Sequence, residues 1–165
     1  MMRSVHAAAF AAALLLAGGA SAQEIIRHKT PGSNFPIARA VEVPAGKTTV
    51  YLSGMVPPVV DDKAAKDSRE AFGDTKTQTI GVLTAIDHAL KDIKLSMGDV
   101  VKMQVFLVGD AAKGGKMDFA GFMDGYRQFF GTPEQPNLPA RSVMQVSGLV
   151  NAGWLVEIEV TAVRP

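Results

Sequence analysis

The sequence contains no cysteine and only three histidines among its 165 residues. Without cysteine it has no disulfide, no thiol nucleophile and no thiolate ligand for zinc. His6 belongs to a leader-like segment, and we interpret His28 and His88 as ordinary surface residues. A Ser-His-Asp triad would have to use one of these two. With no cysteine and so few histidines available, we expect neither a bound metal nor a cofactor.

An excess of charge of one sign is also absent. Lysine and arginine number 17 and aspartate and glutamate 16, which gives a net charge of +1 at pH 7. A protein that binds nucleic acid by electrostatics needs a clustered basic surface. The balanced charge gives no indication of one, and we expect no nucleic-acid partner.

Residues 1–22 have the pattern of a signal peptide. Arg3 precedes an apolar run at residues 7–17, and Ala20-Ser21-Ala22 supplies the small residues that a signal peptidase recognises. A membrane anchor is the alternative, but the run is shorter than the roughly 20 residues that span a bilayer. Cleavage after Ala22 would leave 165 − 22 = 143 residues, 23–165, with no net charge once Arg3 is lost. We expect a periplasmic or secreted protein without a stable membrane anchor.

The remaining segment, residues 23–165, has a length that suits one domain with a single core. Period-two alternation and turn residues predict five strands, of which the first two would form a β-hairpin. These strands are predicted at residues 38–43, 49–54, 99–109, 141–146 and 154–163.

Apolar residues spaced three and four apart predict two helices. The first begins at a cap on Asp74 or Thr75 and is closed by Gly98, and the second covers residues 117–131 with Asp118 as its cap. Residues 23–35 are predicted to be irregular. The charged segment 61–74 is predicted to be a solvated loop, with a mobile lid as the alternative. The order of elements predicts an α+β fold with two helices packed on one face of a sheet.

Arg141 opens a mostly apolar strand directly after a Pro-Ala pair. A guanidinium group is almost never fully buried without a partner. Either its stem lies over an apolar surface with the charged end in water, or its planar fork binds a small carboxylate. The residue pattern leaves both interpretations open.

Glu157 and Glu159 lie on the same face of the last strand, because side chains alternate along a strand. Two carboxylates in this arrangement are typical of the wet side of an antiparallel sheet. The functional alternative places Glu157 in a cleft near a cation such as Arg141, where burial and charge together would set its acid–base behaviour.

Four segments in chain order resemble the RidA family, also called YjgF/YER057c/UK114. They are VYLSGMVP at residues 50–57, GDVVKMQVFLV at 98–108, LPARSVMQV at 138–146 and LVEIEVTAV at 155–163. The succession of PARS and VEIE is the most specific part. The resemblance implies a chorismate-mutase-like α+β fold, homotrimers with sites between subunits, and hydrolysis of enamines and imines such as 2-aminoacrylate. The products would be 2-oxo acids and ammonia.

The resemblance also implies roles for individual residues. Arg141 corresponds to the arginine that binds the substrate carboxylate, and Glu157 to the glutamate that orients or activates the attacking water. Gly54 corresponds to a glycine whose backbone lines the site. Val143 stands at the position of a common cysteine, where the backbone still contributes to substrate binding. Ile37 stands at the position of a tyrosine.

Other exchanges also make the expected pocket more apolar than is usual in the family. Met55 replaces a glutamine, and Met123 replaces an asparagine, although a shift of one residue would offer Asp124 instead. A pocket altered in this way predicts either a preference for bulkier apolar side chains or binding without turnover. The alternative function is therefore a non-catalytic trimer that binds small carboxylates or a protein partner.

Overall fold

The computed structural model describes residues 24–165, and the predicted signal peptide with its cleavage site lies outside the described residues. Among residues 24–165 no helix is long and apolar enough to cross a membrane. The two helices are α1 (Thr75–Asp92) and α2 (Phe119–Tyr126). The strands are β1 (Ile26–His28), β2 (Ala40–Glu42), β3 (Thr49–Met55), β4 (Val100–Val108), β5 (Ala140–Val146) and β6 (Val156–Val163).

Four of the strands form a mixed sheet in the order β3-β6-β4-β5. Strand β6 is antiparallel to both its neighbours, whereas β4 and β5 run parallel. Both helices pack on one face of this sheet, and the shared core contains Leu83, Ile86, Val105, Phe122 and Ile158. The predicted α+β architecture with two helices on one face is confirmed.

The pairing register determines which side chains face the helices. Met103 pairs with Val160 and Val105 with Ile158, and all four side chains are buried under the helices. Phe106, which pairs with Glu157, points to the opposite, open face because successive side chains alternate. The sheet therefore has a closed face under the helices and an open face that the described residues do not cover.

The prediction of a β-hairpin at residues 38–54 is wrong. Strand β2 pairs with β1, and β3 pairs with β6, so the two predicted partners belong to different sheets. Strand β1 itself falls in the segment predicted to be irregular. The Arg27 guanidinium holds it in place by donating to the carbonyls of Gly98, Val100 and Leu138 at 2.7 to 2.9 Å.

Both helices are shorter than predicted, although their N-terminal caps are confirmed. The Asp74 carboxylate accepts from the Thr77 N–H, and Asp118 accepts from the Gly121 N–H. Helix α1 ends at Asp92 because Lys94 adopts a left-handed φ of 61° and the Leu95 N–H returns to the Leu90 carbonyl.

The segment 61–74 is exposed over its first residues and anchored at its end. Asn151 Nδ2 donates to the Lys66 carbonyl at 2.9 Å, and Arg69 Nη1 lies 2.5 Å from Oδ1 of the buried Asp110. Ala71 and Phe72 are buried. The solvated part of the predicted loop is thus residues 61–67, and the rest packs against the body of the domain.

Gln78 connects helix α1 to the turn that precedes β6. Its buried Nε2 donates to the carbonyls of Gly73 and Gly153, and its Oε1 accepts from the Leu155 N–H at 2.7 Å. Replacing it with leucine would leave these backbone groups without partners in the interior. We expect Gln78→Leu to lower the free energy of unfolding by about 3 kcal/mol.

Urea denaturation at a fixed protein concentration measures this effect. Gln128→Leu, which removes an exposed amide from the segment after α2, is the matched control and should stay within about 0.5 kcal/mol of wild type. A Gln78→Leu protein as stable as this control would contradict the role assigned to the three hydrogen bonds.

Candidate active site

The Arg141 side chain lies on the closed face of the sheet, against helix α2. Its guanidinium carbon is 4.1 Å from the ring centroid of Tyr126, 4.9 Å from that of Phe122 and 5.6 Å from that of Phe35. Phe122 and Tyr126 are four residues apart on α2 and therefore share one side of the helix. Met123 completes the contact, with its Sδ 3.2 Å from Arg141 Nη2.

The guanidinium has no acidic partner in the part of the chain that the structure describes. None of the ion pairs among residues 24–165 involves Arg141, and its buried Nη1 has no hydrogen-bond partner. Burial lowers the pKa of this guanidinium, and the neighbouring Tyr126 acts in the opposite direction. Arginine nevertheless remains protonated in proteins, because its ordinary pKa lies far above neutral pH. A desolvated cation with a free N–H donor is suited to binding an oxygen anion.

Tyr126 also positions the loop beside the guanidinium. Its hydroxyl donates to the Pro36 carbonyl at 2.9 Å, so it ties residues 35–37 to helix α2. Burial raises the pKa of the Tyr126 phenol well above its usual value, and the ring stays neutral. The aromatic surroundings of Arg141 are therefore held by a hydrogen bond as well as by packing.

Glu157 lies on the open face of the sheet, half-buried beside Gly54. A Cβ atom built on Gly54 would overlap Oε1 of Glu157, so the carboxylate occupies the space that a side chain would take. Glu159 lies on the same face two residues further on, and its Oε1 accepts from Gln104 Nε2. The glycine at position 54 thus permits the close approach of the Glu157 carboxylate to the β3 backbone.

We expect Gly54→Ala to displace the Glu157 carboxylate while leaving the fold intact, because the atom in the way is the end of a flexible side chain. If Glu157 activates the attacking water, as the resemblance implies, the rate of hydrolysis should fall by about tenfold or more, because a small displacement of such a group is costly. Gly148→Ala, at a position with open space around it, is the control. Steady-state rates and melting curves of the two variants test this, and a Gly54→Ala rate equal to that of Gly148→Ala would contradict it.

One chain does not bring Arg141 and Glu157 into the same space. Arg141 pairs with Met103 of β4 and Glu157 pairs with Phe106, and residues three apart on one strand face opposite sides. The arginine points to the helices and the glutamate to the open face. The two side chains can share a site only across an interface between two copies of the chain.

The other predicted site residues lie near Arg141. Val143 pairs with Val105 and shares the closed face with the arginine. Ile37 is half-buried and immediately precedes Ala38, whose N–H donates to the Pro139 carbonyl. It lines a cavity of about 400 Å³ together with Phe35 and Leu138.

The structure shows where Met55 lies and decides between Met123 and Asp124, a choice that the sequence left open. Met123 is buried and contacts Arg141, whereas Asp124 is exposed, so the apolar residue is the one next to the guanidinium. Met55 pairs with Ile158 on the closed face and packs against the core.

The three aromatic residues around Arg141 were not predicted from the sequence. Phe119, Phe122 and Tyr126 follow one another at spacings of three and four residues, which is a signal for an aromatic side of α2, and neighbouring rings lie 5.7 to 6.1 Å apart. Nothing in the sequence indicates that Phe35 would reach the same arginine. No group of three or more histidine, cysteine or acidic side chains in the described part of the chain could hold a metal ion.

Comparison with known proteins assigns this chain to a family. Residues 29–164 match the sequence profile described as Endoribonuclease L-PSP, which covers nearly all of the described chain. The chain belongs to this family, also known as YjgF/RidA. The resemblance seen in the sequence is confirmed.

Relatives of the YjgF/RidA family align over most of the chain. A RutC family protein of Leuconostoc mesenteroides is 34% identical over 70% of this chain and 80% of its own length. TdcF of Escherichia coli, whose name assigns it to the reactive intermediate deaminases, is 30% identical over 82% of this chain and 92% of its own. The names of the relatives support a family of hydrolase type.

Solved structures agree with this assignment. E. coli TdcF with bound serine is 29% identical, covers 87% of this chain and 99% of its own, and superposes with a TM-score of 0.55. A Rid family protein from Yersinia pestis gives a TM-score of 0.62 at 23% identity, over 84% of this chain and 96% of its own, and shows the fold alone.

Proposed function

We propose that this YjgF/RidA protein hydrolyses reactive 2-imino acids and their enamine tautomers, such as 2-aminoacrylate, to 2-oxo acids and ammonia. The observation that carries the proposal is the Arg141 guanidinium, which lies half-buried among aromatic rings, with an unpaired Nη1 and no counterion in the described part of the chain. A substrate carboxylate would provide the missing anion. The relative TdcF binds serine, a small molecule with a carboxylate beside a nitrogen-bearing carbon.

The chemistry needs few groups. Arg141 would hold the carboxylate through its planar fork and so fix the imine carbon beside a water molecule. Glu157 of the partner subunit would take a proton from this water as its oxygen bonds to the imine carbon. The same carboxyl group would return this proton to nitrogen, which gives a carbinolamine. It would then take the proton of the carbinolamine hydroxyl and pass it to the amino group, so that the carbon–oxygen double bond forms as the carbon–nitrogen bond breaks. Ammonia leaves and the 2-oxo acid remains, so one water is consumed for each imine.

A homotrimer with its sites between subunits is part of the proposal. The opposite orientation of Arg141 and Glu157 in one chain supports it, because a second copy must supply the glutamate. Light scattering on the chain from residue 23 should give three times the mass of one chain. A stable monomer with full activity would contradict the shared site.

Imine trapping tests the activity. Amino-acid oxidases generate imines in solution, semicarbazide traps those that survive, and the protein should reduce the trapped fraction in proportion to its concentration. Equal trapping with and without protein, for several side chains, would exclude the hydrolase. Binding of 2-oxo acids without turnover would instead support the alternative function, a non-catalytic trimer that binds carboxylates. The apolar Met123 beside Arg141 favours this alternative.

Two further parts of the proposal concern location and partners. We propose export to the periplasm or the medium after cleavage at Ala22, and N-terminal sequencing of the exported protein should begin at Gln23. The family description mentions an endoribonuclease, but 17 basic residues against 16 acidic ones give no support for RNA as the substrate.

A further inference from the structure

The cavity beside Ile37 has an apolar wall that includes Phe35, whose ring also contacts Arg141. It measures about 400 Å³ and is lined on this side by Phe35, Pro36, Ile37 and Leu138. Gly131, whose φ is 77°, also lines it and carries no side chain, so the space between Pro36 and Leu138 stays open. Volumes of several hundred cubic ångströms are usual for small-molecule sites.

Phe35 links this cavity to Arg141. Its ring centroid is 5.6 Å from the guanidinium carbon, and the same ring forms part of the cavity wall. The Ala38 N–H also bonds to the Pro139 carbonyl, which holds the loop against the residues just before Arg141. In a 2-imino acid the side chain starts one carbon away from the carboxylate. Because Phe35 contacts both Arg141 and this cavity, the cavity is the space into which we infer that the side chain of a substrate held at Arg141 would extend.

We propose that this cavity receives the substrate side chain and selects 2-imino acids with bulky apolar side chains, such as those derived from leucine and phenylalanine. The inference rests on the proposed function. Binding becomes more favourable with each methylene group of the substrate that packs against the apolar wall, because that group is removed from water. Polar residues including Lys29 and Asn34 complete the lining. A preference for the glutamate-derived imine would show that these polar residues, and not the apolar wall, determine the selectivity.

The experiment measures kcat/KM for imines derived from alanine, leucine, phenylalanine and glutamate. Wild type should prefer the leucine- or phenylalanine-derived imine over the alanine-derived one by about tenfold or more. Ile37→Trp, which fills the cavity, should reduce the ratio of the two kcat/KM values by about tenfold. Val150→Trp adds the same ring at a fully exposed position outside the cavity and should change neither rate.

A second variant keeps the test possible if Ile37→Trp does not fold. Ile37→Ala removes most of one apolar wall and should lower kcat/KM for the leucine-derived imine by about tenfold. A wild-type preference for the alanine- or glutamate-derived imine would overturn the inference and leave the proposed function standing.

Binding measurements separate the inference from the proposed function. If no imine is hydrolysed, the proposed function fails. Calorimetry with 4-methyl-2-oxopentanoate and pyruvate then tests whether the cavity binds an apolar side chain. Tighter binding of the larger acid, lost in Ile37→Trp, would support the inference. Equal binding of both acids would overturn it.

Discussion

Arg141→Ala should weaken the binding of 2-oxo acids by about 100-fold. A guanidinium fork makes two charge-assisted hydrogen bonds to a carboxylate, each worth about 1.5 to 3 kcal/mol. Losing the lower value for both gives about 3 kcal/mol, or roughly a factor of 100 in affinity. Calorimetric titration with pyruvate and with 4-methyl-2-oxopentanoate measures the loss.

Two controls make this result specific to the fork of Arg141. Arg39→Ala removes an exposed arginine from the surface and should leave the affinity unchanged. Arg141→Lys keeps the charge without the fork and should give an intermediate affinity. Because Arg141 has no internal carboxylate to leave unpaired, Arg141→Ala should remain folded, losing chiefly its cation–π contacts. Wild-type affinity in Arg141→Ala would remove the basis of the proposed function.

Glu157→Gln should lower kcat by about 10² to 10⁴-fold while the affinity for 2-oxo acids changes by less than about twofold. The amide keeps the size of the side chain but cannot take the proton from water. Glu159→Gln is a matched control, since it makes the same change on the same strand and the same face, at a carboxylate that is already bonded to Gln104. Equal effects of the two substitutions would contradict a specific role for Glu157.

The opposite orientation of the two side chains gives a stricter test. Arg141→Ala and Glu157→Gln chains, each inactive alone, should regain activity when they are mixed and reassembled. In a trimer with shared sites, each mixed trimer holds one intact site, so random assembly should restore roughly a quarter of the wild-type activity. A site within one chain would give no recovery, because every chain then carries a defect.

Several elements of the fold follow from local patterns alone. The cap at Asp74 and the apolar stripe of α1 arise from interactions within a few residues, and the alternation in β4 and β6 reports the buried face directly. The same local character lets PARS and VEIE identify the family. The sequence also indicates which residue types are available for chemistry, since cysteine is absent.

Strand partners and the surroundings of Arg141 could not be obtained in this way. Strand β2 carries the same alternation whether it pairs with β3 or with β1, and the choice depends on Arg27 reaching three carbonyls far along the chain. Phe35 reaches Arg141 because the Tyr126 hydroxyl bonds to the neighbouring Pro36, a contact between residues 90 positions apart.

The sequence by itself determined the α+β class, the family and the two charged side chains that the proposed chemistry uses. Only the tertiary structure decided that these side chains face opposite sides of the sheet and that the half-buried arginine has no counterion among residues 24–165. The physical reason is that residue type and periodicity are local properties. The face on which a side chain emerges relative to one on another strand depends on the register between strands, which long-range packing sets.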